Sequence, residues 1–319
     1  MRRAWILLAA LLLAPFGAMA QDWPNRPVRI LVIASAGGPT DIVARVLADG
    51  LSQRLPQRFV VENRVGAGGN IAASATAQAT DQHTLLLTNT SHAVNRVLYR
   101  QLDYDPVRDL VPVTIVAESP MVLLVPPSSP HRSVADLVQA ARREPGRLTY
   151  ATAGAGGALQ LVSLLFINAA GIQMQEVPYR GSAPAALDLA AGRLDMLYDA
   201  GLTGFQLARG GQARALAVSA AARNATMLDV PTIGEAGFPA ATFSVWQVLM
   251  APASVPAPIL ERLNRKAAAV LGDAAVRARL VELGADRILG NSLEEARHYV
   301  ADEITRWESV LRAAGVQPQ

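Results

Sequence analysis

The chain alternates short apolar runs with longer segments whose apolar residues recur at helical spacing. Runs such as 28–34 and 84–89 are mostly apolar, as in strands that are buried on both faces. The same pattern predicts further strands at 58–63, 111–118, 121–126, 147–153, 174–179, 194–200, 214–220 and 244–252. Helices are predicted between many of them, at 41–55, 70–80, 133–143, 157–170 and 182–191. This alternation predicts an α/β fold with mostly parallel sheets and flanking helices.

The C-terminal region has a different pattern, because residues 258–315 are almost entirely helical. Ser292, followed three residues later by Glu295, predicts a capping box at a helix start there. The predicted strands are too many for one open sheet, so two lobes with a cleft between them are expected. Prolines near residue 120 mark a crossing between lobes. The predicted first lobe comprises 21–120 and 240–319, and the second lobe comprises 121–239.

The first 20 residues have the organisation of a secretory signal peptide. Two arginines precede an apolar stretch, and small residues at Ala18 and Ala20 predict cleavage after Ala20. An uncleaved anchor is the alternative, but Pro15 interrupts the short apolar stretch. The chain is therefore expected to be exported as a soluble protein.

Composition narrows the class of function. Hydrophobic residues make up 51% of the 319 residues, which is ample for a buried core. The formal net charge of +3 includes two leader arginines. The chain has no run of basic residues, so its sequence gives little support to nucleic-acid binding. The chain has no cysteine, so disulfides, thiol catalysis and thiolate metal sites are excluded.

Loops rich in small residues follow several predicted strands, at 35–41, 63–70, 88–93, 152–158, 178–184 and 198–204. Ligands bind beyond the carboxyl ends of parallel strands, where helix N-termini offer free N–H groups to anions. One such loop alone is explained by turn chemistry, but the recurrence favours a composite anion site. The candidate ligand-binding residues are Ser35, Ala36, Gly37, Gly38, Thr40, Asp41, Thr88, Thr90, Ser91, Thr152, Gly154, Ala155, Gly156, Gly157, Ala158, Tyr179, Gly181 and Asp199.

Catalytic, metal and nucleotide motifs find little support in the sequence. The two G-x-G-G stretches lack the third glycine of a dinucleotide fingerprint, and no P-loop or paired-histidine motif occurs. An enzyme acting on a small acid stays open as an alternative, with Asp199, His92 or Tyr179 as its candidates. For Asp199, bonding to nearby backbone N–H groups is an equally good reading, and Asp41 is favourable in a first helical turn anyway. No cofactor and no metal is predicted.

Several motifs occur in an order that resembles one family. They are "WPNRPVRILVIASAGGPTDIVARVLADGL", "VVENRVGAGGNIAA", "YDPVRDLVPV", "LTYATAGAGG", "VPYRGSAPAALDLAAGRLDML", "DVPTIGEAGFP" and "VWQVLMAPASVPAPILERLN". In this order they resemble the Bug-type periplasmic solute-binding proteins, the receptor components of tripartite tricarboxylate transporters. The resemblance extends over about residues 22–315.

The resemblance implies a two-lobed periplasmic-binding-protein fold, type II-like, that closes on a small carboxylate ligand. It implies that backbone N–H groups and water near 35–41 hold the carboxylate, and that 88–92, 152–158 and 178–181 complete the site. It further implies a periplasmic monomer whose partners are that ligand and the membrane components of a transporter, or a sensor protein. A protein that binds partners without any small ligand is a third hypothesis.

The chain departs from the family pattern in several places, among them "TDQHTLL" where P-D-G-Y-T-L-L is usual. The first loop reads "ASAGG" where the family commonly has F-x-P-G-G. Ala158 replaces a serine, and Gln160 replaces a frequent histidine. These changes remove hydroxyl and imidazole donors near the expected site. The resemblance therefore implies the class of ligand, a small carboxylate, but does not identify the ligand itself.

Overall fold

The computed structural model describes residues 23–152, 156–179, 181–224 and 227–313. The predicted signal peptide and the candidate residues Gly154 and Ala155 lie outside these ranges. In the described ranges no helix is long and apolar enough to cross a membrane.

Ten strands are numbered in chain order as β1 (Val28–Val32), β2 (Phe59–Asn63), β3 (Thr84–Asn89), β4 (Leu110–Val125), β5 (Thr149–Thr152), β6 (Gln175–Pro178), β7 (Leu197–Ala200), β8 (Arg214–Val218), β9 (Ser244–Pro252) and β10 (Arg287–Ile288). The α-helices are α1 (Pro39–Arg54), α2 (Asn70–Ala77), α3 (Ser91–Leu98), α4 (Val134–Arg143), α5 (Ala158–Ala170), α6 (Ser182–Ala190), α7 (Gly201–Arg209), α8 (Ala257–Leu271), α9 (Ala274–Glu282) and α10 (Leu293–Ala313).

The first lobe is built on a sheet with the strand order β10-β4-β9-β3-β1-β2. Strand β1 runs parallel to β2 and β3, whereas β9 runs antiparallel to both β3 and β4. The second lobe pairs β7 and β8 antiparallel to β4, and β5 parallel to β6. The α/β fold is confirmed, but the large sheet is mixed rather than mostly parallel, and only the separate two-stranded sheet of β5 and β6 is wholly parallel. Continuous apolar runs indicate burial on both faces, which central antiparallel strands share with parallel ones.

Strand β4 runs through both lobes. Its residues Leu110–Pro120 pair with β9, and Met121–Val125 pair with β7 and β8. The prediction of two separate strands here is wrong because the prolines fall where a ladder tolerates them. Pro120 lies where β4 changes partners, and Pro112 adjoins a register shift; both are irregular positions, at which strands tolerate proline.

The core covers both faces of the first sheet. On one face, α1 and α8 pack so closely that an added Cβ at Gly50 would lie 2.4 Å from Val270. On the other face, one buried cluster runs from Leu31 of β1 to Phe166 of α5 and Tyr198 of β7. This cluster makes the apolar core continuous from the first lobe into the second.

The predicted helices are present within a few residues of their expected limits. Ser292 and Glu295 exchange side-chain to backbone hydrogen bonds, which confirms the predicted capping box. Helices α3 and α7 were not predicted, because each is short and starts within a segment of small and polar residues that reads as a loop.

Candidate functional site

The loop between β1 and α1 makes a tight turn at its two glycines. Gly37 has a φ of +81°, which only glycine adopts readily. The Gly37 N–H donates to Asp41 Oδ2 at 2.9 Å, and the Gly38 N–H donates to the Ser35 carbonyl at 3.1 Å. Both glycine N–H groups thus have acceptors inside the loop. The two glycines therefore shape the loop and do not themselves donate to a ligand.

Asp41 is the internal anchor of this loop. Its carboxylate is 1% exposed and accepts from the Gly37 N–H, from Arg45 and from Asn63. Burial acts to raise the pKa of Asp41, but the hydrogen bonds from Arg45, Gly37 and Asn63 together hold it below its usual value. The Asp41 side chain therefore positions the loop and has its acceptors occupied.

Free donors remain at the start of α1. A helix leaves the N–H groups of its first turn without intrahelical acceptors, and here these belong to Thr40 and Asp41 because Pro39 has none. The N-cap residue Gly38 has no side chain to cap them. Asp41 thus contributes a backbone donor to the candidate site while its carboxylate holds the loop.

Helix α5 of the second lobe begins in the same way. Its N-cap Gly157 has φ −70° and ψ 155°, close to the −74° and 162° of Gly38, and again lacks a side-chain cap. Its first-turn donors include Ala158. Helices α6 and α7, which follow the loops at Gly181 and Asp199, also have no side-chain cap. Ser133 and Asp273 cap α4 and α9, whereas α2, α3 and α8 are without a side-chain cap as well.

The segment after β3 links the first loop to α3. The Asn89 side chain donates to the Thr40 hydroxyl at 3.3 Å and accepts the Ser91 N–H at 3.0 Å. The Thr90 hydroxyl accepts the Trp246 N–H at 3.2 Å, and Thr88 is a buried member of β3. Ser91 Oγ is buried and has no partner among the described residues. Asn89 is not among the residues predicted from the sequence, because only its partners in the fold show its linking role.

The second-lobe loop is braced by two side chains. The Gly156 N–H donates to Gln160 Oε1 at 2.8 Å, and the Thr152 hydroxyl donates to Glu176 Oε1 at 2.7 Å. Gln160 was noted in the sequence only as a departure from the family pattern, and Glu176 was missed. Neither residue belongs to a motif, and their contacts appear only in the fold.

The two lobes meet at this loop. Gly156 of the second lobe packs against α3 of the first, where an added Cβ would lie 2.1 Å from Leu98 and 3.3 Å from Val94. The segment that precedes α5 thereby lies against the C-terminal end of α3.

The remaining candidates of the second lobe have mixed roles. The Tyr179 hydroxyl donates to Asp188 at 2.9 Å, so its polar group is engaged within that lobe. Asp199 is 2% exposed and accepts the Ala200 N–H at 2.8 Å. Burial raises the pKa of Asp199, while hydrogen bonds from Thr203, Ala200 and Ser182 act to lower it. Asp199 therefore accepts a hydrogen bond from a neighbouring backbone N–H. A backbone contact of this kind was the alternative to ligand binding that the sequence left open.

His92 lies inside the first lobe rather than in the cleft. It is 1% exposed, and its Nε2 lies 3.1 Å from the Pro106 carbonyl oxygen. Burial lowers the pKa of His92 to about 4. In the described part of the chain no group of three or more His, Cys, Asp or Glu side chains could hold a metal ion.

Comparison with known proteins places the chain in a family. The profile of the tripartite tricarboxylate transporter family receptor matches residues 43–316. The chain belongs to this family. The protein BugT of Bordetella pertussis is 35% identical over 301 residues, covering 93% of this chain and 92% of BugT. The family consists of solute receptors, so the chain is a solute-binding protein and the enzyme alternative falls away.

Solved structures of similar proteins have the same fold. Rpa4515 of R. palustris, solved with adipate, has a TM-score of 0.83 and 39% identity, covering 93% of this chain and 100% of that one. MatC of Rhodopseudomonas palustris, solved with malate, has a TM-score of 0.78 and 32% identity, covering 91% and 100%. The receptor thus has the two-lobed periplasmic-binding-protein fold.

Proposed function

We propose that this receptor binds a small carboxylate between its lobes in the periplasm and delivers it to the membrane components of a tripartite tricarboxylate transporter. The ligand's carboxylate accepts hydrogen bonds from the first-turn N–H groups of α1. Closure of the two lobes brings the start of α5 against the other end of the ligand.

The observation that carries this proposal is the matched pair of uncapped helix starts. Gly38 and Gly157, one in each lobe, precede first-turn N–H groups that no side chain caps. Such groups, with the positive end of the helix dipole, stabilise an anion. Contact between Gly156 and Leu98 brings the second of these loops against the first lobe.

The ligand class has independent support from related structures. Rpa4515 was solved with adipate and MatC with malate, and both ligands are small dicarboxylates. We extend the wider class, small carboxylates, to the present receptor, which shares 39% and 32% identity with them.

The proposed lobe limits follow from the strand pairing. We assign 21–120 and 240–319 to the first lobe and 121–239 to the second, because β4 changes partners between Pro120 and Met121. We also propose that residues 1–20 are a signal peptide that is removed on export, from their sequence pattern.

A matched pair of glycine variants tests the proposed site. Gly37 and Gly146 both have positive φ, and a Cβ on either would meet nothing within 4 Å. G37V and G146V should therefore lower the melting temperature alike, whereas only G37V should weaken carboxylate binding. Ligands that co-purify are identified by mass spectrometry, and affinities for them, adipate and malate are measured by calorimetry. Equal affinities in the two variants would place the ligand elsewhere.

A further inference from the structure

Glu176 places a negative charge beside the second-lobe loop. It lies on β6, opposite Tyr150 of β5, and its carboxylate accepts from Thr152 at 2.7 Å and from Tyr150 at 3.3 Å. A third donor is Gln160 Nε2, at 3.3 Å. These contacts hold the carboxylate next to the end of β5, where the loop to α5 begins.

Gln160 accepts the hydrogen bond of a backbone N–H group that could otherwise donate to an anion. Its Oε1 accepts the Gly156 N–H at 2.8 Å while its Nε2 donates to Glu176. The side chain therefore spans from the loop to the acidic group, with its oxygen on the loop. A ligand carboxylate at this amide must displace the Gln160 oxygen and approach the charge of Glu176. Like charges repel, so this position disfavours a carboxylate.

The first-lobe loop has no unbalanced negative charge of this kind among the described residues. There the carboxylate of Asp41 is paired with Arg45 at 2.9 Å, so its charge is balanced locally. The two ends of the cleft thus differ in the ligand group that they favour. A carboxylate suits the start of α1, whereas a group that donates hydrogen bonds suits the side of Glu176.

We infer that the second-lobe end of the site takes a neutral, hydrogen-bond-donating group, and that Glu176 and Gln160 select monocarboxylates with such a distal group over dicarboxylates. This inference rests on the proposed function, because it assumes that one carboxylate of the ligand binds at α1. Glu176 and Gln160 are specificity-determining residues in this account.

The test compares isosteric ligands that differ only at one end. Calorimetry measures the affinities of adipate and its monoamide, and of malate and its monoamides, for the wild type and for E176Q, Q160A and E144Q. Glu144 is the matched control, because it is an exposed glutamate of the second lobe that pairs with Arg147. The wild type should prefer a monoamide by about tenfold, equivalent to ~1.4 kcal/mol. E176Q should reduce this preference about fivefold by removing the repulsion, and Q160A should strengthen dicarboxylate binding by freeing the amide. E144Q should bind as the wild type does.

Two results would overturn the inference without touching the proposed function. One is a wild type that binds the dicarboxylate more tightly than the monoamide, because the distal end would then favour an anion. The other is a preference that is the same in wild type, E176Q and Q160A. Failure of the folded wild type to bind any carboxylate would instead overturn the proposed function, and this inference with it.

Discussion

Gly156 and Leu98 are in contact across the two lobes, and only the absence of a Cβ on Gly156 allows it. A Cβ built there would lie 2.1 Å from Leu98 Cδ1, far inside van der Waals contact. Gly156 has a φ of +72° and belongs to the loop before α5, whereas Leu98 ends α3. A side chain at position 156 would therefore require Leu98 to move.

We predict that G156A weakens ligand binding by obstructing closure. Overpacking of this kind costs about 2 kcal/mol, or about thirtyfold in affinity. The control is G146A, since Gly146 shares the positive φ but has open space around it. Calorimetry with the native ligand should show weakened binding in G156A alone, and L98A should partly restore it in the double variant. If G146A loses as much affinity, backbone strain rather than the contact is responsible.

Removal of the Asp41 carboxylate should disorder the first loop. D41A deletes the acceptor of the Gly37 N–H, of Arg45 and of Asn63, and should lower the free energy of unfolding by about 2 kcal/mol. Ligand affinity should fall with it, because the loop presents the α1 donors. D49A removes an exposed carboxylate from the same helix and is the control. Urea unfolding and calorimetry on both variants measure the two effects, and equal stability of D41A and D49A would contradict this role.

The pH dependence of stability should include a term from His92. Its pKa is about 4 in the folded chain and about 6.5 when unfolded, so between these values only the unfolded chain binds the proton. The free energy of unfolding should therefore fall as pH drops from 6.5 toward 4, by about 3 kcal/mol from this group.

The His92 term is isolated by comparing variants. H92Q should flatten the dependence between pH 4 and 6.5, whereas H298Q, which removes an exposed histidine, should keep the wild-type slope. Urea unfolding at a series of pH values measures the slopes. Identical slopes in the wild type and H92Q would show that His92 is protonated alike in both states.

Ser219 joins the chain segments that pass between the lobes. Its hydroxyl accepts the Met121 N–H at 2.8 Å and donates to the Phe243 carbonyl. S219A leaves that buried N–H without this acceptor and should cost about 2 kcal/mol of stability. Ser163 is the matched control, because it is 0% exposed and its hydroxyl has no partner in the described part of the chain. S163A should unfold at the wild-type urea concentration or above, and a comparable loss in both variants would refute the role of Ser219.

The order and position of most elements could be predicted from the sequence, because apolar periodicity is a local signal. The strand β3 and the strand β9 have the limits that were expected, 84–89 and 244–252. Strand direction was not predictable in this way, since a buried antiparallel strand and a buried parallel strand have the same apolar pattern. The continuity of β4 depends on where its prolines meet partner strands, which is a property of the fold.

The candidate site was predicted at the level of loops but not of individual donors. The pair of glycines at 37 and 38 suggested bare amides, yet both amides are engaged, one of them by Asp41. The position of Asp41 depends on Asn63, which lies 22 residues away in sequence. The role proposed for Gln160 likewise depends on Glu176, which lies 16 residues away. Such long-range partners have no signature in a single sequence.

The most direct test of the account is a crystal structure of the receptor with its co-purified ligand or with adipate. The account predicts a carboxylate oxygen about 2.7–3.2 Å from the backbone nitrogen of Thr40 or Asp41, with the other end of the ligand beside the start of α5. A cavity of about 730 Å³ lined by Phe205, Phe243 and Asp286 offers an alternative location. A ligand seated in that cavity, with no contact to the start of α1, would contradict the account.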